Sequence, residues 1–185
     1  MKIVAGKFGG LNITPVPGRG TRPTSAKVRE SMFNMLMPYI TSETVALDLF
    51  AGTGALGIEA VSRGSKTAIL VDKASKAIKV IKTNVTKTHD ESAFDIFHMP
   101  AKAALNYFDK QKIKFDLVML DPPYADHIND RIALNMANKG LINPKALFLI
   151  ETDYPLDNVP SGSFKVISSK KYGLTYVEIW RYEGK

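Results

Sequence analysis

The residues best equipped for chemistry lie in two short stretches, Asp48-Leu49-Phe50-Ala51-Gly52-Thr53-Gly54-Ala55-Leu56-Gly57 and Asp121-Pro122-Pro123-Tyr124. The first sets Gly52, Gly54 and Gly57 in a G-x-G-x-x-G turn between an apolar run and a helix-like segment. Glycines there allow a tight turn and close backbone approach to a ligand. Asp72 closes the next apolar run 20 residues after Gly52, where a carboxylate meets ribose hydroxyls. A dinucleotide fits this pattern, and so does any other adenosine-bearing ligand.

Asp48 separates these possibilities. It lies just before the glycines, where it would repel a pyrophosphate but suit a ligand with an ammonium and a sulfonium. S-adenosylmethionine is such a ligand, with Asp48 towards its ammonium and Asp72 towards its ribose. The second stretch follows the unbroken apolar run Leu117 to Leu120, which reads as a strand buried on both faces. An amino group donates two hydrogens and needs acceptors only. Pro122 and Pro123 have no N–H to compete and their fixed φ stiffens the turn. The Asp121 carboxylate and the Pro122 carbonyl can each accept one amino hydrogen, and Tyr124 offers a face on which a base can stack.

These residues need a scaffold, and the chain supplies one by alternation. The pattern predicts strands over Thr44–Phe50, Thr67–Asp72, Ala93–His98, Phe115–Leu120 and Ala146–Glu151. Between them it predicts helices over Ala55–Arg63, Ala74–Lys87, Ala101–Lys110 and His127–Lys139. Such a rhythm requires parallel pairing and right-handed crossovers. Phe164–Ser169 and Leu174–Tyr182 are too close for a helical crossover and predict an antiparallel hairpin at one sheet edge. Ahead of the first strand, Thr24 is the expected N-cap of a helix running to about Met37. The domain boundaries expected are a basic hairpin or arm over 1–23 and one α/β domain over 24–185. In open sheets of this kind ligands bind beyond the carboxyl ends of the strands, near the reversal of strand order. The first and fourth strands flank that point, so Asp121 is expected to face the Gly52–Gly54 loop.

With 185 residues the chain can bury a real core, and 45% hydrophobic and 23% charged residues are ordinary for a globular protein. The absence of cysteine excludes disulfides and thiolate metal sites and predicts a reducing, cytoplasmic setting. The opening MKIVAGKFGG carries no signal-peptide core, and no segment reads as a membrane span. Net charge is +7, and Lys2, Lys7, Arg19, Arg22, Lys27 and Arg29 fall in a first segment without any Asp or Glu. A basic segment on a near-neutral body predicts a polyanion partner, most often nucleic acid. His89, His98 and His127 lack metal-ligand spacing, so no metal is implied; Lys79, Lys82 and Lys87 read as a solvated helix face.

Asp121-Pro122-Pro123-Tyr124 matches the [DNS]-PP-[YFW] motif of methyltransferases acting on amino nitrogens. Together with DLFAGTGALGIEAVSRG, GTRPTSAKVRESMFNML and KYGLTYVEIW, it makes nearly the whole chain resemble the bacterial 16S ribosomal RNA guanine-N2 methyltransferase family. The resemblance implies a Rossmann-like class I methyltransferase domain with a seven-stranded, mostly parallel sheet and an antiparallel C-terminal strand. It implies a catalytic set of Asp121, Pro122, Pro123 and Tyr124. The S-adenosylmethionine set it implies is Asp48, Phe50, Gly52, Thr53, Gly54, Asp72, Lys73 and Ala101. Ala101 enters by its backbone, because His98-Met99-Pro100-Ala101 lacks the acid often found near the adenine. Lys7, Arg19, Arg22, Lys27 and Arg29 form the RNA-binding set, with bracing of the cofactor pocket as the alternative for Arg29. The implied partner is 16S ribosomal RNA in an assembled or partly assembled small subunit, met by a monomer. An adenine-N6 methyltransferase shares DPPY, but a sequence-specific DNA enzyme needs a recognition region that the roughly 30 residues outside the core do not supply. A nicotinamide dehydrogenase conflicts with Asp48, and a non-catalytic RNA-binding protein has no need of DPPY beside a cofactor loop.

Overall fold

The computed structural model describes residues 1–18, 25–122, 128–156, 159–160 and 162–184. Thr24, Arg19, Arg22, Pro123, Tyr124 and His127, all singled out above, lie outside the described residues. Among the described residues the α-helices and strands follow in the order α1 (Ala26–Leu36), β1 (Val45–Asp48), α2 (Ala55–Ser62), β2 (Thr67–Asp72), α3 (Ser75–Thr86), β3 (Phe94–His98), α4 (Ala101–Gln111), β4 (Phe115–Leu120), α5 (Asn129–Asn138), β5 (Ile142–Thr152), β6 (Phe164–Tyr172) and β7 (Thr175–Tyr182).

The strands form one sheet in the order β3-β2-β1-β4-β5-β7-β6. The first five are parallel, and β7 runs antiparallel between β5 and β6. This is the Rossmann-like seven-stranded arrangement, with order reversing between β1 and β4. Helices cover both faces, as parallel strands without a polar side require. On one face Met32, Phe33 and Leu36 of α1 and Ile58 and Val61 of α2 pack with Ile78 and Ile81 of α3. On the other, Leu105 and Phe108 of α4 and Ile132 and Met136 of α5 pack against Leu47, Val118 and Phe148.

Residues 1–14 are packed against the body of the protein. Lys2 and Asn12 form an antiparallel bridge, and Ile3 and Ile13 are buried in the first core. Helix α1 is capped by Ser25, whose hydroxyl accepts from the Val28 N–H, one residue beyond the expected cap. Strand β5 starts earlier than its apolar pattern because it bulges. Pairing with β4 passes from Phe115↔Ile142 straight to Leu117↔Leu147, across Pro144 and a left-handed Lys145 (φ 67°).

Gly57 shows what the third glycine of the turn is for. Its φ is ordinary, but a Cβ there would lie 2.1 Å from Leu70 Cδ2, so its absence sets how closely α2 approaches β2. Leu70 is fully buried and cannot swing away. Gly57→Ala should therefore destabilise the protein by about 1–3 kcal/mol in denaturant unfolding, as overpacked cores do. Gly140→Ala, with open space but φ 67°, would be strained by backbone alone.

Candidate active site

Strand β1 ends at Asp48, and the chain turns through Phe50 to Gly54 before entering α2. Gly52 (φ 55°) and Gly54 (φ 78°) both take left-handed backbone, and Gly54 is the N-cap of α2. Asp48 is 1% exposed, and its Oδ2 accepts from the Gly57 N–H at 3.1 Å. Burial pushes its carboxyl up to about 7; the Gly57 N–H opposes this and the neighbouring Asp72 adds to it. Asp72 ends β2, with Oδ2 accepting from the Gly52 N–H at 2.9 Å and Oδ1 from the Ala74 N–H at 2.8 Å. It thereby ties the glycine loop to the next loop.

The other members of the expected cofactor set gather at the same edge. Phe50 and Thr53 are half-buried in the glycine loop. Lys73 is exposed after Asp72, and its carbonyl accepts from His98 Nε2 at 3.2 Å. Ala101 opens α4 directly after the β3 turn. Across the order reversal, Asp48 pairs with Met119, and Leu49 N–H donates to the Met119 carbonyl at 3.3 Å. Asp121 is half-buried and Pro122 buried just after β4, the strand that pairs with β1.

Two polar residues that the sequence pattern passes over hold this edge in place. Asn84, 0% exposed on α3, donates through Nδ2 to the carbonyls of Thr14 (3.0 Å) and Thr53 (2.9 Å). Its Oδ1 accepts from the Thr14 N–H at 2.8 Å. One amide thus joins the N-terminal segment to the glycine loop. Glu59 on α2, also 0% exposed, accepts from the N–H groups of Val4 (2.7 Å) and Ala5 (3.1 Å). An Asn or Glu inside an apolar helix face was the only available signal for either.

The basic set divides. Lys7 is exposed and pairs with Asp90 at 2.6 Å, and Lys27 is exposed on the first turn of α1. Arg29 is a correction: it is 1% exposed, donates to the Lys2 carbonyl and lies 3.7 Å from Glu59, so it cannot reach a phosphate. Burial holds its guanidinium below the ordinary value, with Glu59 and Glu151 acting against that. Lys87 also departs from a purely solvated role, donating to the Asn12 carbonyl and, at 2.7 Å, to the Thr14 hydroxyl. Among the described residues no group of His, Asp and Glu could hold a metal ion. Among the described residues no helix is long and apolar enough to cross a membrane.

A parallel sheet reversing between β1 and β4, with a glycine loop and two buried acids at that point, defines the Rossmann-like methyltransferase fold. The chain belongs to the family described as Conserved hypothetical protein 95, whose model matches residues 1–181. It is 34% identical over 185 residues, all of both chains, to the rRNA methyltransferase candidate YlbH of Bacillus subtilis. It is 28% identical over 183 residues to the ribosomal RNA small subunit methyltransferase D of Haemophilus influenzae, covering 98% of this chain and 93% of that one. The solved structure of the methyltransferase candidate yhhF from Escherichia coli superposes with a TM-score of 0.85 at 28% identity, covering 100% and 99% of the two chains.

Replacing Asn84 with Ala strips partners from three backbone groups at once. The expected cost is about 2–4 kcal/mol in denaturant unfolding, within the range for orphaned buried groups. Amide exchange should accelerate around Thr14 and along Phe50–Gly54 more than in β4 or β5.

Proposed function

We propose that this protein transfers a methyl group from S-adenosylmethionine to the exocyclic N2 amino group of a guanine in 16S ribosomal RNA, within an assembled or partly assembled small subunit. The observation that carries this reading is the placement of Asp121-Pro122 at the end of β4, the strand paired with β1, whose own end leads into the Gly52–Gly54 loop. Asp48 and Asp72 suit the proposed cofactor. They are close enough for Asp72 to raise Asp48, and no Lys or Arg lies between Asp48 and Asp72 except Arg63 and Lys66 at the far end of α2 and beyond. Paired acids without a nearby cation in the loop favour an ammonium and reject a pyrophosphate. Asp48 and Phe50 to Gly54 would hold the methionine end, Asp72 the ribose, and Lys73 and the Ala101 backbone the adenosine side. The names of the relatives support ribosomal RNA as the substrate class.

S-adenosylmethionine, when bound, supplies a methyl made electrophilic by its sulfonium. The chain then has to position an acceptor, and good orientation alone contributes about 7–11 kcal/mol. The lone pair of guanine N2 is delocalised into the ring, which makes it a weak nucleophile. Hydrogen bonds from both amino hydrogens, to the Asp121 carboxylate and the Pro122 carbonyl, favour a more tetrahedral nitrogen and stabilise its growing positive charge. Once methylated, that nitrogen is acidic and gives up one proton to Asp121 or water, so no strong base is needed beforehand. The base must leave its stack to reach this edge, and Tyr124 is assigned to hold it there.

The deciding experiment supplies tritiated cofactor and small-subunit particles from a strain lacking the enzyme, then digests the RNA to nucleosides. Label in N2-methylguanosine is the expected result; label in N6-methyladenosine, or none, overturns the reading. In the same assay Asp121→Ala should lower turnover by about 100- to 1,000-fold, the usual loss for a preorganised transition-state contact, with cofactor affinity within a few-fold of the parent.

Asp48 gives a separate, pH-dependent test. In the free protein its carboxyl is pushed up to about 7, so below that value it is protonated and must ionise to meet an ammonium. Calorimetric cofactor affinity should therefore rise with pH, by up to about tenfold per unit, and level off above neutrality. Asp48→Asn should bind roughly 10- to 150-fold more weakly at pH 8 and lose this slope, as expected for one charge-assisted hydrogen bond.

A further inference from the structure

The β6–β7 hairpin ends at the same edge of the sheet as Asp121. Leu120 pairs with Ile150, and two residues on, Thr152 pairs with Tyr176, which pairs in turn with Lys171. A single row therefore runs from the level of Pro122 through Thr152 and Tyr176 to Lys171, spanning three strand spacings, about 14 Å. Beyond it project Tyr172, Thr175 and the two-residue turn Gly173-Leu174. Gly173 takes φ 62° and Leu174 a negative φ, the pattern of a II′ hairpin turn.

This tip has an unusual surface. Leu174 is 76% exposed, the highest value among the large exposed hydrophobic side chains of the described residues. Lys170 and Lys171 are exposed, and Phe164 to Val177 contains Lys165, Lys170 and Lys171 with no acid. The lysines fall on opposite faces. Ser168 donates to Met35 Sδ and Tyr172 bonds to Ser31, so Lys170 shares the α1 face. Ser169 donates to Glu178 on the other face, which Lys171 shares, its Nζ lying 4.9 Å from the centroid of the Tyr176 ring. The Tyr172–Ser31 contact also fixes the tip against α1, where exposed Lys27 stands one turn before Ser31.

Cations that straddle an edge, with an exposed apolar side chain and an aromatic ring between them, match the needs of unstacked nucleic acid: phosphates meet charge and base faces meet apolar surface. We propose that the hairpin tip is a second RNA-docking element. In it Lys170 and Lys171 contact phosphates beside the target nucleotide, while Leu174 and Tyr176 pack against a neighbouring base when the target leaves its stack. This rests on the reading of the site as an RNA methyltransferase.

The test compares the full-length protein with Lys170→Ser/Lys171→Ser and, separately, Leu174→Ser. RNA binding is measured at several salt concentrations on protein-free 16S RNA and on small-subunit particles, together with steady-state methylation and cofactor titration. The lysine pair should raise the KM for RNA about tenfold or more at moderate salt, and flatten the log K against log salt slope by up to two units. Leu174→Ser should lower kcat/KM with the slope unchanged. Melting temperature and cofactor affinity should stay at parental values in both, because these side chains are exposed. Parental salt slope and KM in the lysine variant would overturn the proposal. So would a defect confined to particles when protein-free RNA is also bound, since that would make the tip a contact for a ribosomal protein. Failure of the unaltered protein to bind or methylate any RNA would remove the functional reading and this one together, whereas parental variants of an active enzyme would remove this one alone.

Discussion

A single carboxylate, Glu59, fastens three parts of the chain that are far apart in sequence. It accepts from the backbone of Val4 and Ala5, from Arg63 Nε at 2.8 Å, and faces Arg29 at 3.7 Å. A charge so deeply buried is costly alone, and it is sustained because two guanidinium groups and two amides converge on it. Helix α2 begins at the glycine loop and carries Glu59 in its second turn. The direction in which that loop is presented therefore depends on the same contacts that hold α1 and the first residues. Ser62, one turn on, reinforces the attachment by accepting from the Phe8 N–H, while its carbonyl accepts from Lys7. Gly6 passes so close that a Cβ would lie 1.8 Å from the Ser62 carbonyl oxygen.

The sheet divides its labour by strand direction. The parallel half delivers the ends of β1, β2, β3 and β4 to one edge and so assembles the acids and the glycine loop there. The antiparallel β7 returns the hairpin to that edge; a parallel β7 would have sent the turn to the opposite side. Trp180 and Glu178 hold β7 in this central place, the buried indole N–H donating to the carboxylate at 2.7 Å. The presence of the hairpin turn at the same edge as the glycine loop thus follows from the reversal of one strand.

What could be read from the chain was what is encoded locally. The glycines, Asp48, Asp72 and the βα rhythm sit within short windows whose periodicity and spacing have few structural solutions. Features built from distant partners were invisible. Arg29 groups with the basic set by sequence, with bracing of the cofactor pocket as its alternative, and its partner Glu59 lies 30 positions away. Asn84 and Lys87 looked like ordinary helix residues because Thr14 and Thr53 meet them only after folding. The helix cap moved to Ser25, since both Thr24 and Ser25 have suitable hydroxyls and only backbone geometry chooses between them. The early start of β5 was hidden by Pro144 and Lys145, which interrupt the apolar pattern while the strand bulges past them.

The packing of the first fourteen residues also has a bearing on how the molecule is made. Ile3, Val4 and Ala5 leave the ribosome before their partners at Glu59 and in the surrounding core. Thr14 waits for Asn84, and Lys7 for Asp90. This segment cannot complete its contacts until the chain as far as Asp90 has been synthesised, and Gly6, Gly9 and Gly10 make it a poor template for premature strand pairing. Its docking over α2 and α3 therefore follows the synthesis of both helices.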